Sequence, residues 1–213
     1  MRVNADAMTL YAVTDRTWVE DTTLMNQVKE ALEGGITFLQ LREKHLSKEE
    51  FIKEAREMKK LAAQYQIPFV INDNIKVALE VDADGVHIGQ DDMSVEEARK
   101  LLGEDKIIGV SAHNVKEALK AQKGGADYLG VGAVCATSTK KDANVVSKEE
   151  IKKIKEAVDI PIVAIGGIKK DNIDALTGTG IDGVAVVSAI FGAKDIIKDT
   201  KELLKTVKKM KQE

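Results

Sequence analysis

The stretch "GGADYLGVG", residues 124–132, decides the fold. Two glycines close a helix, Ala126 and Asp127 form a short connector, and an apolar run then reads as a buried strand. The same plan recurs as "EGGITFLQL" (33–41), "VDADGVHIG" (81–89) and "GTGIDGVAVV" (178–187). A helix end followed by a short connector and a strand, repeated along a chain, is the mark of serial βα units.

Working outward from these four, eight strand runs can be read: "TLYAVT" (9–14), "TFLQL" (37–41), "PFVI" (68–71), "GVHI" (85–88), "KIIGVS" (106–111), "YLGVG" (128–132), "PIVAI" (161–165) and "GVAVVS" (183–188). Their continuous apolar character means burial on both faces, as in a parallel sheet. Pro68 and Pro161 stand at strand starts, where a missing N–H does least harm. The intervals carry helical patterns. "TTLMNQVKEALEGG" puts Leu24, Val28, Ala31 and Leu32 on one face. "SKEEFIKEAREMKKLAAQY" opens with Ser47 and has Glu50 three residues on, a capping box. "SVEEARKLLG", "SKEEIKKIKEAV" and "DNIDALTGTG" start and stop in the same manner, and a last helix is expected over 193–210. Its lysine-rich end complements its own dipole. Eight such units without a compositional break predict an α/β fold, a single (β/α)8 TIM barrel forming one catalytic domain over residues 1–213. An open doubly wound sheet is the competing arrangement, but no GxGxxG pattern follows the first strand.

The composition, 44% hydrophobic and 31% charged, is that of a globular chain. A net charge of -3 and few aromatics argue against nucleic acid as a partner. No run of about 18 apolar residues suggests a membrane helix. The N-terminal residues lack a signal-like apolar core, and Cys135 is the one cysteine, so the expectation is a cytoplasmic protein.

Barrel active sites lie at the C-terminal ends of the strands. The second strand runs into Gln40-Leu41-Arg42-Glu43-Lys44, and strand alternation points Gln40, Arg42 and Lys44 to the mouth while Leu39 and Leu41 face the helices. Cations there, with Lys140 from a later loop, suit a highly charged anion, although a bridge from Arg42 to Asp73 or another carboxylate would serve structure alone. Asn72 and Asp73 follow strand three, and Asp92 follows strand four. Two carboxylates brought together suit Mg²⁺, which binds through one or two of them plus substrate phosphates. The alternative is that Asp91 or Asp92 caps a helix, for which Ser94 is better placed. Ser111 and His113 end strand five, and Thr137, Ser138, Thr139 and Lys140 follow strand six. Gly166, Gly167, Val187 and Ser188 at the ends of strands seven and eight read as a second anion site, with backbone N–H groups and a hydroxyl near helix starts. His87 reads as a hydrogen-bonded core residue and Cys135 as inert packing. Trp18 either closes over the mouth or packs on a loop.

Taken in order, "LYAVTD", "QLREK", "INDN", "ADGVHIGQDD", "GVSAH", "GADYLGVGAV", "TSTKKDA", "VAIGGI" and "GVAVVSAI" resemble the thiamine-phosphate synthase (thiamine-phosphate pyrophosphorylase) family along nearly the whole chain. The resemblance implies a transferase of thiamine biosynthesis. It joins hydroxymethylpyrimidine pyrophosphate (HMP-PP) and hydroxyethylthiazole phosphate (THZ-P), with Mg²⁺, and releases pyrophosphate. Carried over residue by residue, the HMP-PP side falls on Gln40, Leu41, Arg42, Glu43, Lys44, Asn72, Ser111 and Lys140, with Arg42, Lys44, Ser111 and Lys140 catalytic. The metal falls on Asp73 and Asp92. The THZ-P side falls on Thr137, Ser138, Thr139, Gly167, Val187 and Ser188. The resemblance also implies a homo-oligomer. Asn74 and Ala133 depart from the family pattern, in which arginine and proline are frequent. Two rival readings are a thiazole tautomerase of the same fold, with His113 as the residue to suspect, and a non-catalytic sensor of a phosphorylated ligand.

Overall fold

Each apolar run forms a strand, and strand pairing leaves no edge: in the computed structural model, which describes residues 3–135 and 145–212, the eight parallel strands close into a barrel in chain order. The strands are β1 (Leu10–Val13), β2 (Phe38–Leu41), β3 (Phe69–Asn72), β4 (Gly85–Ile88), β5 (Ile107–Ala112), β6 (Tyr128–Gly132), β7 (Ile162–Ile165) and β8 (Gly183–Val186). The helices around them are α1 (Leu24–Gly34), α2 (Lys48–Gln64), α3 (Ile75–Glu80), α4 (Val95–Leu102), α5 (Val115–Lys123), α6 (Lys148–Ala157), α7 (Ser188–Phe191) and α8 (Ile196–Met210). The expected (β/α)8 barrel is therefore the observed fold. The Ser47–Glu50 capping box forms at the start of α2, and Ser94 rather than Asp92 caps α4.

One expected helix is reduced. Over "DNIDALTGTG" only a single 3-10 turn, Ile173–Leu176, forms. Gly178 and Gly180 both adopt positive φ, so the segment turns back before a second helical turn can close. The last helix also begins later than expected, at Ile196, where the Asp195 side chain accepts from the Lys198 N–H.

Strand alternation sorts the core into two layers. Leu10, Leu39, Leu41, Ile71, Val86, Val110, Leu129 and Val184 face the helices in one large cluster. Tyr11, Val13, Phe38, Val70, Ile107, Tyr128, Val163 and Ala185 fill the barrel. The interior tapers, and glycines make room in it. A Cβ on Gly85 or Gly183 would lie 1.9 Å from the carbonyl oxygen of Ile107 or Met8, so these two even strands start without a side chain. The other two even strands start with the large rings of Phe38 and Tyr128.

The recurring connector has a physical role. The residue before each even strand clasps the start of the strand before it. Thr37 accepts from the Leu10 N–H at 2.8 Å, and Asp84, Asp127 and Asp182 accept from Phe69, Ile108 and Ile162 at 2.7, 2.8 and 2.8 Å. In each case the backbone N–H of the clasping residue donates back to the carbonyl of the residue it holds. Arg99 and Lys155 neutralise Asp127 and Asp182 at 2.7 and 2.8 Å.

Asp127→Ala is expected to destabilise the protein by about 3–5 kcal/mol, because it leaves the nearly buried Arg99 guanidinium without its carboxylate. Urea unfolding measures this. A loss below about 1 kcal/mol, the range of an exposed pair, would show that the clasp is dispensable.

Candidate active site

The second strand positions the first group of polar residues. Gln40 points into the barrel and its Nε2 donates to the Tyr11 hydroxyl at 2.5 Å. The Arg42 backbone N–H is fixed by the Thr14 hydroxyl, and its guanidinium meets Asp15 at 3.3 Å. Of the carboxylates that could serve Arg42 as a structural partner, Asp15 rather than Asp73 takes that place. Glu43 turns the other way, against Arg16 at 2.8 Å, and Arg16 also holds Glu54 of α2 at 2.6 Å. Burial pushes the Glu43 carboxyl above its ordinary range despite Arg16. Lys44 returns to the mouth, with Nζ 2.6 Å from Asp73. Leu41 is fully buried on the helix side, so only its backbone can reach the mouth.

Asp73 sits at the end of β3 with φ +59, a left-handed conformation that aspartate tolerates better than most residues. Its N–H donates to the His87 carbonyl at 2.8 Å. The next residue, Asn74, caps α3 by accepting from the Val77 N–H, so this departure from the family pattern has a local structural role. Asp92 accepts from the Gly89 N–H at 2.7 Å. The Asp73 and Asp92 carboxyls act on each other, and their proton affinities are driven apart. Burial would raise Asp73, but the bonds from Lys44 and Asp92 hold it below its usual range. Burial and the neighbouring Asp73 raise Asp92, more than the Gly89 N–H lowers it. Two hard carboxyl groups crowded until they compete for a proton form a donor set that fits Mg²⁺. Among the described residues no cluster of three or more His, Cys, Asp or Glu side chains is arranged for a metal, so further ligands would be substrate oxygens or water.

A cavity of ≈ 140 Å³ opens at the C-terminal ends of the strands. Gln40, Arg42, Asn72, His87, Ser111 and His113 line its β2–β5 side, and Gly166, Gly167, Val187 and Ser188 its β7–β8 side. Gln40, Arg42, Asn72 and Ser111 of one expected set and Gly167, Val187 and Ser188 of the other therefore line one opening. Lys44, Asp73 and Asp92 gather beside it, whereas the Glu43 side chain faces Arg16. Thr137, Ser138, Thr139 and Lys140 lie outside the described residues. Gly166 and Gly167 adopt φ +100 and +66, and the Gly167 carbonyl accepts from Asn172 at 2.9 Å. Ser188 opens α7. Trp18 packs against Gly192 at the end of that helix, where a Cβ would come within 2.9 Å of its ring. Cys135 is half-buried, its N–H donating to the Gly166 carbonyl.

Several functional candidates escape a strand-end reading. Tyr11 and Tyr128 meet inside the barrel with their hydroxyls 2.7 Å apart, and His87 bridges Tyr128 to Ser111 at 3.0 Å on each side. Their inward parity was the available signal. Arg16 reaches Glu43 from another loop, which spacing could not reveal. His113 bonds Glu117, one turn into α5, at 2.8 Å. Burial would raise Glu117, but the bonds from His113 outweigh it and hold the carboxyl low.

A family profile described as thiamine monophosphate synthase matches residues 10–190. A thiamine-phosphate synthase of Clostridium acetobutylicum is 50% identical over 200 residues, covering 94% of this chain and 95% of that protein. One of Methanobrevibacter smithii is 50% identical over 201 residues, covering 94% and 96%. Among solved structures, a thiamine phosphate pyrophosphorylase of Pyrococcus furiosus is 43% identical and superposes with a TM-score of 0.89 over 97% of this chain and 98% of that one.

Gly166→Ala tests the β6–β7 wall of the cavity. Its Cβ would fall 2.6 Å from that of Ala133 on a backbone at positive φ. A loss of about 1–3 kcal/mol is expected from overpacking alone, read as a lower urea midpoint. An unchanged midpoint would mean that this wall yields freely.

Proposed function

As the chain belongs to the thiamine monophosphate synthase family, whose members are transferases, we propose that it condenses HMP-PP with THZ-P to give thiamine phosphate and pyrophosphate. The observation that carries this reading is the meeting of two unlike anion-binding halves at one cavity. Charged side chains and paired carboxylates stand at the ends of β2–β4, and glycine turns and a serine at β7–β8. Relatives about half identical over nearly the whole chain favour this over a tautomerase or a sensor.

On this reading Arg42 and Lys44 hold the pyrophosphate of HMP-PP, the arginine as a planar fork and the lysine as a point charge. Asn72, Gln40 and Ser111 orient the rest of the molecule, Leu41 and Glu43 contributing only through the backbone. Asp73 and Asp92 would hold Mg²⁺, which when bound neutralises phosphate charge and so improves the leaving group. Lys140, with Arg42 and Lys44, stabilises charge on the departing pyrophosphate. The aminopyrimidine supports positive charge on its methylene carbon as the C–O bond breaks, and the thiazole nitrogen then forms the new C–N bond. No strong general base is needed. Thr137, Ser138, Thr139, Gly167, Val187 and Ser188 hold THZ-P by its phosphate, and holding both molecules in attack geometry supplies much of the remaining rate. The same reading takes residues 1–213 as one catalytic domain working in the cytoplasm as a homo-oligomer. Mixing both substrates with Mg²⁺ and following pyrophosphate release tests it, and no release would overturn it.

Asp73→Asn and Asp92→Asn are expected to lower turnover and raise the Mg²⁺ concentration required, while THZ-P binding survives. Variants that titrate with Mg²⁺ like the parent would remove these two carboxylates from the metal site. Arg42→Lys is expected to keep its melting temperature and lose about 10²–10³ in rate, since a charge-assisted contact in a partly desolvated site contributes about 2–4 kcal/mol. A thermal melt beside the pyrophosphate-release assay checks it. A large fall in melting temperature with near-normal turnover would make Arg42 a partner of Asp15 only.

A further inference from the structure

Beneath the cavity, five polar side chains form one unbroken chain across the barrel. Gln40 Nε2 donates to the Tyr11 hydroxyl at 2.5 Å, and the Tyr11 and Tyr128 hydroxyls lie 2.7 Å apart. Tyr128 meets His87 Nδ1 at 3.0 Å, and His87 Nε2 meets Ser111 Oγ at 3.0 Å. Both tyrosines are fully buried, and Gln40 and His87 nearly so. The two ends, Gln40 and Ser111, line the cavity. The middle of the chain, Tyr11 and Tyr128, does not reach it. Glycines shape the space: a Cβ on Gly109 would fall 2.0 Å from the Tyr128 ring, and one on Gly130 would come within 3.1 Å of His87.

Proton counting gives this chain a direction. Gln40 spends an N–H on the Tyr11 oxygen, so the Tyr11 proton goes to the Tyr128 oxygen. The Tyr128 proton then goes to His87 Nδ1, which must be an acceptor. A single ring proton on His87 then sits on Nε2 and is donated to Ser111 Oγ. The Ser111 proton is left to turn toward the cavity that it lines with Gln40, and Gln40 keeps Oε1 as an acceptor beside its second Nε2–H. Reversing one link alone would strand a buried hydroxyl proton, which costs more than a hydrogen bond contributes. Burial drives both tyrosine pKa values far above the usual phenol range, so the two protons stay in place.

We propose that Tyr11, Tyr128 and His87 are positioning residues that lock Gln40 as an acceptor and Ser111 as a donor, so that the cavity floor selects the amino-and-ring-nitrogen edge of an aminopyrimidine. This rests on the reaction proposed above. An amino group donates to Gln40 and a ring nitrogen accepts from Ser111. The corresponding oxo-pyrimidine presents the opposite polarity, loses the match to Gln40 Oε1 and to the Ser111 proton, and is left with the second Nε2–H of Gln40 as its donor.

The direct test is the His87 tautomer, read from 15N–1H long-range NMR correlations of the intact protein. The relay requires the Nε2–H form. An Nδ1–H form or an imidazolium at neutral pH would overturn it without touching the synthase reading. The kinetic test uses Tyr128→Phe and Tyr11→Phe. Each is expected to raise KM for HMP-PP about tenfold, the consequence of leaving a buried polar partner unmatched, with kcat close to the parent's. THZ-P affinity should be unchanged. The preference for the aminopyrimidine alcohol over its oxo counterpart, measured by calorimetry, should shrink about as much in both variants. Mere loosening of the barrel would weaken both pyrimidines and THZ-P together and would overturn the proposal, as would parental KM values in both variants. If neither variant folds, the parent's tautomer decides alone. A parent that releases no pyrophosphate yet carries the Nε2–H tautomer would sink the reaction and not the relay.

Discussion

Closing eight parallel strands into a ring fixes the register all at once. There is no edge to slip, and a shift of one residue would exchange the barrel interior for the helix face. Everything at the mouth depends on that register. It is pinned at the opposite end, where Thr37, Asp84, Asp127 and Asp182 each close a two-way pair of bonds with the start of the preceding strand. A carboxylate placed beside a backbone N–H at a strand start satisfies a donor that the ladder leaves over. The clasps fall on alternate strands, so the barrel is built as four strand pairs, and those pairs are the four copies of the repeat seen in the sequence.

That repeat is why the fold was legible. Strand runs and helix caps are local signals, and the ends found in the structure fall within a few residues of those read from composition and spacing. What local reading overestimated was the helix over residues 171–180, where two glycines near its end act as a C-terminal stop but leave too little chain before it. The strand-end residues Gln40, Arg42, Asn72, Ser111, Gly167 and Ser188 do converge, because in a closed parallel barrel the end of every strand opens on the same rim. Partners brought in from elsewhere were not legible. Asp15 and Arg16 approach Arg42 and Glu43 from the loop after β1, and the Tyr11–Tyr128 contact spans 117 residues. No spacing rule connects such pairs before the ring is closed.

The charged end of β2 can now be understood as three charges with three destinations. Alternation sends Arg42 and Lys44 toward the mouth and Glu43 toward α2, where Arg16 receives it and is itself held by Glu54. An unpaired carboxylate on the helix side would carry a desolvation cost. With Arg16 present, Glu43 becomes an anchor that ties the segment after β2 to both β1 and α2. The cations on either side thereby sit on a segment tied down at Glu43. They are also partly compensated, by Asp15 and by Asp73, so neither waits in the free protein as a bare buried charge.

On the proposed reading, the two halves of the rim hold an anion in different ways, and the difference follows from what each strand can carry. Strands β2, β3 and β4 end in long or ionised side chains that extend past the barrel and can close around a large, highly charged group together with a cation. Strands β6 and β7 end in glycine, where Gly132 has room only for a hydrogen beside the Ile165 carbonyl and Gly166 only for a hydrogen beside Ala133. Side chains are excluded there by the packing itself, so among the described residues that half offers backbone N–H groups and the Ser188 hydroxyl at the start of α7. Such a rim suits a smaller anion held by directed hydrogen bonds. Between the halves the barrel interior is unusually polar for a core, and it stays stable because each of its buried groups bonds to the next, from Gln40 through the two tyrosines to His87 and Ser111. On the proposed reading, stability and recognition are demands on the same atoms: the network must be complete to be buried, and its ends are the groups that line the cavity.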